Sequence, residues 1–269
     1  MRYKDYEGTA EKLVCSMLRE IEEKEHVRIL HAVESGSRAW GFASPDSDYD
    51  VRFVYIRPME HYLSLREKKD FINWRLDETL DIIGWDLSKT LQHFHKSNAT
   101  LFEWANSPVI YKTTPEWTQV MKAANSYFSC KSAMYHYYGT ARKNYSEYLT
   151  GDAVKYKKYF YVLRPILACK WIEAHRCPPP VLFRELADEM LEAEMRPIVA
   201  RLVQIKMQMA ETEKGKRIDK LNVYMEEKLA FYKHKAEGMQ DDRKSGWDEL
   251  DGLFVKMLKG FSSEAAMDG

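Results

Sequence analysis

Residues 34–55 read ESGSRAWGFASPDSDYDVRFVY, and this stretch decides the fold. Before it, residues 26–34 are rich in Val, Ile and Leu, which predicts a buried strand. The stretch opens with a Gly- and Ser-rich loop, for which we expect one helical turn starting near Ser37. Residues 48–56 then alternate in polarity as a second strand does. The sequence therefore predicts strand, turn and strand, with two aspartates where the second strand begins.

The two aspartates, Asp48 and Asp50, are separated by one residue. Side chains two positions apart in a strand point to the same face, so these carboxylates should lie side by side. Such a pair repels unless a cation neutralises it, and Mg²⁺ binds one or two carboxylates together with substrate phosphates. The Gly36-Ser37 turn offers close backbone approach, N–H groups and a hydroxyl for a terminal phosphate. The pattern predicts a site for a nucleoside triphosphate and its metal.

A third carboxylate is needed for a two-metal site and for activation of an attacking hydroxyl. Asp81 is the candidate, because it lies in an otherwise apolar predicted strand, residues 79–85, where an unpaired polar group is costly. Asp86 is the alternative, although its position also predicts the N-cap of a helix beginning at Leu87.

The spacing of Gly36-Ser37 and Asp48-x-Asp50 resembles the G-S-x(n)-D-x-D signature of the DNA polymerase β nucleotidyltransferase superfamily. The wording around it is similar to a narrower family of bacterial predicted nucleotidyltransferases, the RNA repair pathway, polymerase-β-like group that includes YcgL-type proteins. The similarity covers most of residues 26–250. It also rests on LDIIGWDLSKTL at 80–91, LFEWANSPVIY at 101–111 and KKYFYVLRPILACKWI at 157–172.

The resemblance implies a small mixed sheet with helices, two Mg²⁺ (or Mn²⁺) ions, and transfer of a nucleoside monophosphate from an NTP to an acceptor hydroxyl, with release of pyrophosphate. It implies that Gly36 and Ser37 hold the triphosphate. It also implies that Asp48, Asp50 and Asp81 are the catalytic, metal-binding carboxylates. The family name points to RNA ends as the acceptor, while a small molecule or a protein side chain stays open.

Further cations and aromatic residues are candidates for binding the nucleotide. Arg38 follows Ser37 directly, and Arg52 shares the face of Asp50; a plain salt bridge is the alternative for Arg52. A predicted helix over 153–176 places Lys157, Tyr161 and Arg164 on one face, with Lys158 as the neighbour of Lys157. An ordinary solvated basic face is the alternative for this group. We select Lys158, Tyr161 and Arg164 for the nucleotide; Trp40 either stacks on a base or wedges the loop.

Helical patterns dominate the chain after residue 116, where we find no convincing strand. We expect helices over residues 9–24, 87–96, 99–107, 116–128, 130–149, 153–176, 181–212, 216–236 and 246–259. The fold class is therefore α+β. We expect a nucleotidyltransferase catalytic domain at residues 1–112 and a helical domain at 113–262 that closes the cleft or binds the acceptor.

Composition constrains partners and compartment. Lys plus Arg and Asp plus Glu both number 41, so overall charge predicts no nucleic-acid partner, although a local basic face would not show in this balance. The four cysteines have no C-x-x-C spacing, which favours free thiols. The chain shows neither an N-terminal apolar signal nor an apolar run of about 18 residues. We expect a cytoplasmic protein without a membrane partner.

Two other functions compete with nucleotidyl transfer. The chain would be a nucleotide-binding partner protein, antitoxin-like, if it kept affinity without turnover. It would be a metal-dependent phosphodiesterase if it consumed a nucleotide without transferring it. The complete pair of Asp48 and Asp50 argues against the first, and the Gly36-Ser37 turn fits NTP binding better than the second.

Overall fold

The structure, a computed structural model, describes residues 8–44, 47–74, 79–208 and 214–265. Its helices are α1 (Ala10–Glu25), α2 (Gly36–Ala39), α3 (Met59–Leu63), α4 (Leu87–His95), α5 (Ala99–Ala105), α6 (Pro115–Ala124), α7 (Cys130–Tyr148), α8 (Lys157–His175), α9 (Phe183–Met190), α10 (Arg196–Gln208), α11 (Asp219–Gly238) and α12 (Asp248–Ala265). Its strands are β1 (Arg28–Glu34), β2 (Tyr49–Ile56), β3 (Phe71–Asn73), β4 (Leu80–Asp86), β5 (Ile110–Thr113), β6 (Ala153–Lys155) and β7 (Lys214–Lys216). A 3₁₀ turn, Asn125–Tyr127, follows α6.

Five strands form one mixed sheet in the order β3-β4-β2-β1-β5. The pairs β1–β2, β1–β5 and β3–β4 are antiparallel, whereas β2 and β4 are parallel. The strands β6 and β7 form a separate two-stranded antiparallel sheet. A mixed sheet with helices, followed by a largely helical C-terminal region, confirms the predicted α+β class.

Helix α1 covers one face of the sheet with an apolar stripe. Its buried residues pack against alternate residues of β1, β2 and β4, including Val51, Phe53 and Ile82. Because side chains of a strand alternate between faces, burial of Val51 and Phe53 against α1 turns Asp50 and Arg52 to the other face. Packing of this core thus determines the face on which the polar residues of β2 lie.

The chain divides into two compact units. Unit 1 comprises Met1–Gly36, Asp48–Tyr127 and Lys244–Gly269; unit 2 comprises Ser37–Ser47 and Phe128–Arg243. Unit 1 contains the five-stranded sheet, and unit 2 contains the two-stranded sheet of β6 and β7 and helices α7 to α11. These limits differ from the sequence-based boundary at 112/113, since α12 lies in unit 1 and the loop after Gly36 lies in unit 2. The roles assigned to the two predicted domains stay predictions.

The predicted elements around residues 26–107 are confirmed. β1, β2 and β4 lie where the alternating and apolar runs placed strands, and one helical turn, α2, begins at Gly36. Asp86 caps α4 by accepting a hydrogen bond from the Ser88 N–H, and Asn98 caps α5 by accepting one from the Thr100 N–H. The N-cap predicted at Asp86 is therefore confirmed.

The prediction that no strand follows residue 116 was wrong, because β6 and β7 pair with each other. The sequence analysis also missed β5, which follows α5 and precedes α6. β6 and β7 have three residues each, and β5 has four with a burial pattern that does not alternate. Such short strands exist through pairing with distant residues and leave no periodic signal.

The single helix predicted over 181–212 was also wrong, since α9 ends at Met190 and α10 starts at Arg196. Glu192 in the connection forms ion pairs with Lys170 and Lys228. The Arg196 side chain donates to the carbonyls of Asp188 and Leu191 at 2.9 and 3.1 Å. These hydrogen bonds satisfy carbonyl groups at the C-terminus of α9 that have no partner within the helix. Tertiary contacts therefore override the helix propensity of this segment.

The four cysteines are free thiols, as predicted. Cys130 and Cys169 are buried, and Cys15 and Cys177 are half-buried. No helix in the described part of the chain combines the length and the apolar character needed to cross a bilayer.

Candidate functional site

Asp50 and Asp81 lie directly beside each other on two parallel strands. The register of β2 and β4 pairs Asp50 with Asp81, and the guanidinium of Arg52 joins them. Arg52 Nη2 lies 3.0 Å from Asp50 Oδ1 and 3.0 Å from Asp81 Oδ2. Three of the predicted site residues are thus brought together on one face of the sheet in unit 1.

The Arg52 side chain is held firmly in this position. Its Nη1 donates to the carbonyl oxygens of Val51 and Asp81 at 2.9 and 3.1 Å, and only 16% of the side chain is exposed. The two carboxylates are more accessible, with 36% of the Asp50 side chain and 30% of the Asp81 side chain exposed. Two negative charges and one positive charge therefore meet at a surface that solvent and ligands can reach.

Asp48 is exposed and lies just before β2, which starts at Tyr49. The Tyr49 N–H donates to the carbonyl of Thr79 at 2.8 Å, so the parallel pairing of β2 with β4 already exists at this point. The predicted role of Asp48 as a metal ligand stays a prediction.

Gly36 brings the backbone against the Asp50 carboxylate. Its φ is +62°, and a Cβ atom at this position would lie 2.4 Å from Asp50 Oδ2. The neighbouring Ser35 N–H donates to the Asp50 carbonyl at 2.8 Å. Position 36 therefore requires glycine, because the backbone is left-handed there and the Asp50 carboxylate leaves no room for a side chain.

Glu34 is a buried carboxylate behind Asp50 that the sequence analysis missed as a site residue. Only 1% of the residue is exposed. Its Oε1 accepts from the Asp50 N–H at 2.7 Å, and its Oε2 accepts from the Tyr111 hydroxyl. An acidic residue at the end of an otherwise apolar strand was the available signal, because burial of such a group requires partners.

Asp86, the alternative third carboxylate, lies five residues along β4 from Asp81 and is buried. Its side chain accepts from the Ser88 N–H at 2.8 Å, the Ser88 hydroxyl at 2.7 Å and the Tyr62 hydroxyl at 2.9 Å. Burial raises the pKa of Asp86 above its usual range, and these hydrogen bonds oppose the shift. Asp86 thus has a structural role, and Asp81 is the carboxylate beside Asp50.

A second group of predicted residues lies around Trp40 in unit 2. The Tyr161 ring meets Trp40 edge-on with centroids 5.4 Å apart, and the Arg164 guanidinium lies 4.9 Å from the Trp40 centroid. Lys158 Nζ lies 4.8 Å from the Tyr161 centroid. Arg164 is buried, so its charge is held inside unit 2. Trp40 therefore wedges its loop against α8.

Further contacts within unit 2 hold the loop that carries Ser37. Arg38 Nη2 donates to the Ser47 carbonyl at 2.6 Å, so this side chain closes the loop. Lys206 on α10 is buried and donates to the Phe42 carbonyl at 3.1 Å. The sequence analysis missed Lys206; a lysine four residues after the apolar Leu202 was the signal.

The donor set of unit 1 fits a hard divalent cation. Asp50 and Asp81 offer carboxylate oxygens from neighbouring strands, and Mg²⁺ characteristically takes one or two carboxylates with phosphates and waters as further ligands. Within the described ranges, no group of three or more His, Cys, Asp or Glu side chains is arranged to hold a metal ion. A cation at Asp50 and Asp81 would therefore need ligands from a substrate and would compete with Arg52.

Residues 10–256 match the RNA repair pathway DNA polymerase beta family. The chain belongs to this family. It is 42% identical over 250 residues to the uncharacterized protein YcgL of Bacillus subtilis (strain 168). The aligned region covers 91% of this chain and 95% of that relative. It also matches a crystal structure of a nucleotidyltransferase-like protein from Exiguobacterium sibiricum 255-15. That match has 12% identity and a TM-score of 0.29, and it covers 92% of this chain and 80% of the other.

Family membership makes nucleotidyl transfer the activity to consider for this chain. It confirms the resemblance that the Gly36-Ser37 turn and the Asp48-x-Asp50 pair indicated in sequence.

Proposed function

We propose that the protein transfers a nucleoside monophosphate from an NTP to an acceptor hydroxyl, with an RNA end as the acceptor. The observation that carries this proposal is the side-by-side placement of Asp50 and Asp81 on parallel strands, with the backbone of Gly36 against Asp50. This arrangement of two carboxylates beside the Gly36 turn lies in a chain that belongs to the RNA repair pathway DNA polymerase beta family, which supports nucleotidyl transfer.

Asp48, Asp50 and Asp81 are the proposed ligands of two Mg²⁺ or Mn²⁺ ions. When bound, such ions stabilise negative charge on the attacking and leaving oxygens of a phosphoryl transfer. Arg52 Nη2 lies 3.0 Å from a carboxylate oxygen of both Asp50 and Asp81, so its guanidinium holds the two carboxylates next to each other.

The reaction needs one proton acceptor. The acceptor hydroxyl oxygen bonds to the α-phosphorus, and its proton passes to the Asp81 carboxylate. The bond from the α-phosphorus to the oxygen bridging to the β-phosphate breaks, and pyrophosphate leaves with that electron pair. Gly36, Ser37 and Arg38 are the proposed contacts of the triphosphate, and Lys158, Tyr161 and Arg164 are the remaining proposed nucleotide contacts.

Each α-labelled NTP should be tested with Mg²⁺ or Mn²⁺ and a mixed pool of RNA. We expect label to enter RNA with the unaltered protein and to be lost with Asp50→Asn and with Asp81→Asn. Asp188→Asn is the matched control, because Asp188 is an exposed aspartate whose recorded side-chain partner is Arg184 one helical turn away. Equal transfer by all four proteins would contradict the assigned carboxylates.

A nucleotide-binding protein without turnover is the second candidate, and the Arg52 contacts favour it. The Arg52 guanidinium lies 3.0 Å from each carboxylate and offsets one of their two negative charges, which lowers the need for a metal ion. This candidate predicts NTP binding without pyrophosphate release, with or without RNA. Absence of NTP binding would exclude both candidates.

A further inference from the structure

Unit 2 carries a groove lined by positive charge. Two hollows of about 390 and 570 Å³ adjoin at Glu147, one along α7 and one between the end of α7 and the start of α8. We call this surface the basic groove, and its charged lining residues are Arg142, Lys143, Glu147, Lys155, Lys157 and Lys158. It holds five cations and one carboxylate.

This concentration contrasts with the charge of the whole chain, in which 41 basic and 41 acidic residues balance. Arg142 and Lys143 are exposed, and Lys155 is half-buried. None of these three forms an ion pair with a carboxylate in the described part of the structure. Their charge is therefore available to an anionic ligand, and it is not explained by internal pairing.

Two further lysines of the groove lie at the start of α8. Lys157 and Lys158 lie in the first turn, which contains no acidic residue, and Tyr156 gives no side-chain cap. Positive charge at a helix N-terminus opposes the helix dipole. An anion bound in the groove would therefore be attracted both by these two lysines and by the N-terminus of α8.

Aromatic side chains connect the groove to the loop that follows Gly36. Lys158 Nζ lies 3.7 Å from the centroid of Tyr148, which lines the groove, and 4.8 Å from that of Tyr161. Tyr161 in turn contacts Trp40, three residues after Ser37 in the chain. Ring contacts within unit 2 therefore connect Lys158 of the groove to Trp40, in the segment that we propose binds the triphosphate.

We propose that the basic groove binds the phosphodiester backbone of single-stranded RNA and so holds the acceptor strand. Several cations in one groove suit the successive phosphates of a strand, and Tyr148 in the groove offers a ring on which a base can stack. From Gly139 to Glu147 the α7 part of the groove extends for about 12 Å, which is long enough for more than one phosphate. The acceptor role rests on the proposed function, whereas RNA binding by the groove does not.

The test uses the full chain and a fluorescently labelled single-stranded RNA of 20 nucleotides. Arg142→Ala/Lys143→Ala/Lys155→Ala removes three groove cations and leaves Lys158, Tyr161 and Arg164 intact. Lys122→Ala/Arg201→Ala/Lys233→Ala is the matched control, because it removes three exposed cations outside the groove. Binding is measured by anisotropy at 50 and 200 mM salt, and NTP binding is measured separately.

Each phosphate contact on a single strand contributes about 0.7 to the slope of log K against log salt. With five groove contacts, we expect RNA binding by the unaltered protein to weaken about a hundredfold between the two salt concentrations. The groove variant, with two contacts left, should weaken only about sevenfold and should bind RNA at least tenfold less tightly at 50 mM salt. The control triple variant should behave like the unaltered protein, and NTP binding should be unchanged in all three.

Several results would overturn the proposal. These are absence of RNA binding by the unaltered protein, an equal loss in both triple variants, or tighter binding of duplex RNA or single-stranded DNA than of single-stranded RNA. Failure of the proposed transfer reaction is distinguished from these results by the assay with α-labelled NTPs. In that case RNA binds in the groove but no label enters the RNA.

Discussion

The side-chain carboxylate of Glu34 accepts a 2.7 Å hydrogen bond from the backbone N–H of Asp50. Glu34 therefore fixes the backbone that carries Asp50 from inside the sheet, where no substrate needs to contact it. A buried acceptor in this position is a positioning residue for the carboxylate pair of Asp50 and Asp81.

Glu34→Ala should remove this support and leave the Asp50 N–H without its acceptor. We expect a loss of about 1–3 kcal/mol in the free energy of unfolding. We also expect the transfer rate to fall about 10- to 100-fold with a smaller change in NTP binding. Glu34→Gln keeps an acceptor oxygen for Asp50 and should recover most of the rate. A Gln variant as slow as the Ala variant would contradict a positioning role through this bond.

Gly36→Ala should displace the Asp50 carboxylate, because the new Cβ would lie 2.4 Å from Asp50 Oδ2. The left-handed backbone adds a cost of about 1–2 kcal/mol for an L side chain. We expect lower stability in urea unfolding and loss of nucleotidyl transfer. Gly252→Ala is the matched control in α12, where an added Cβ meets nothing within 4 Å and should stabilise the helix by about 0.5–1 kcal/mol. Equal behaviour of the two variants would show that the approach of Gly36 to Asp50 has no consequence.

Removal of Arg52 should make the thermal stability of the protein depend on added divalent cations. In Arg52→Ala the guanidinium that lies 3.0 Å from both Asp50 and Asp81 is gone, and the two negative charges face each other. We expect a lower melting temperature than that of the unaltered protein, and a larger rise in melting temperature when Mg²⁺ is added.

The control for this experiment is Arg52→Ala combined with Asp81→Asn, which removes one of the two charges. Its melting temperature should respond little to Mg²⁺. If the single and double variants respond equally, the cation does not act at Asp50 and Asp81.

His31 predicts a pH dependence of stability. Burial lowers the pKa of His31 to about 4, and its ring stacks on Trp117 with centroids 4.7 Å apart. In the unfolded chain the imidazole has its ordinary pKa of about 6.5, so the unfolded state binds more protons between these two values. Stability should therefore fall as pH drops from about 6.5 towards 4, by about 2 kcal/mol between pH 7.5 and 5 from this group.

His31→Gln should flatten this dependence in urea unfolding at the two pH values, whatever its effect on absolute stability. His234→Gln is the control, because the His234 side chain is 80% exposed. If the free energy of unfolding of the His31 variant still differs between pH 7.5 and 5 as much as that of the unaltered protein, other groups cause the pH dependence.

The carboxylate group of unit 1 was largely predictable because its geometry is local or follows from strand alternation. Asp48, Asp50 and Arg52 lie at i, i+2 and i+4 of one run, and Asp81 was found as a polar residue in an apolar strand. Its register beside Asp50 was not predictable, because the parallel pairing of β2 with β4 joins segments about 30 residues apart. Glu34 was overlooked since its partners, the Asp50 N–H and the Tyr111 hydroxyl, are known only after folding.

In the helical region, individual helices were predictable and their ends were not. The signal for the start of α10 was present in Pro197, which suits the first turn of a helix. The break before it depends on Glu192, whose pKa is about 2: burial raises it, but hydrogen bonds from Lys170, Lys228 and Tyr224 lower it further. No local pattern encodes partners that are more than 20 residues away in sequence.

The order of synthesis on the ribosome has a consequence for unit 1. Phe254 of α12 packs its ring against Tyr62 at 5.1 Å, and the carbonyl of Gly246, two residues before α12, accepts from the Tyr127 hydroxyl at 2.8 Å. These residues emerge only after the whole of α7 to α11 has been translated. Packing of unit 1 can therefore be completed only after α12 has been translated, and a stop codon that removes α12 would destabilise the sheet-containing unit although its strands are encoded far upstream.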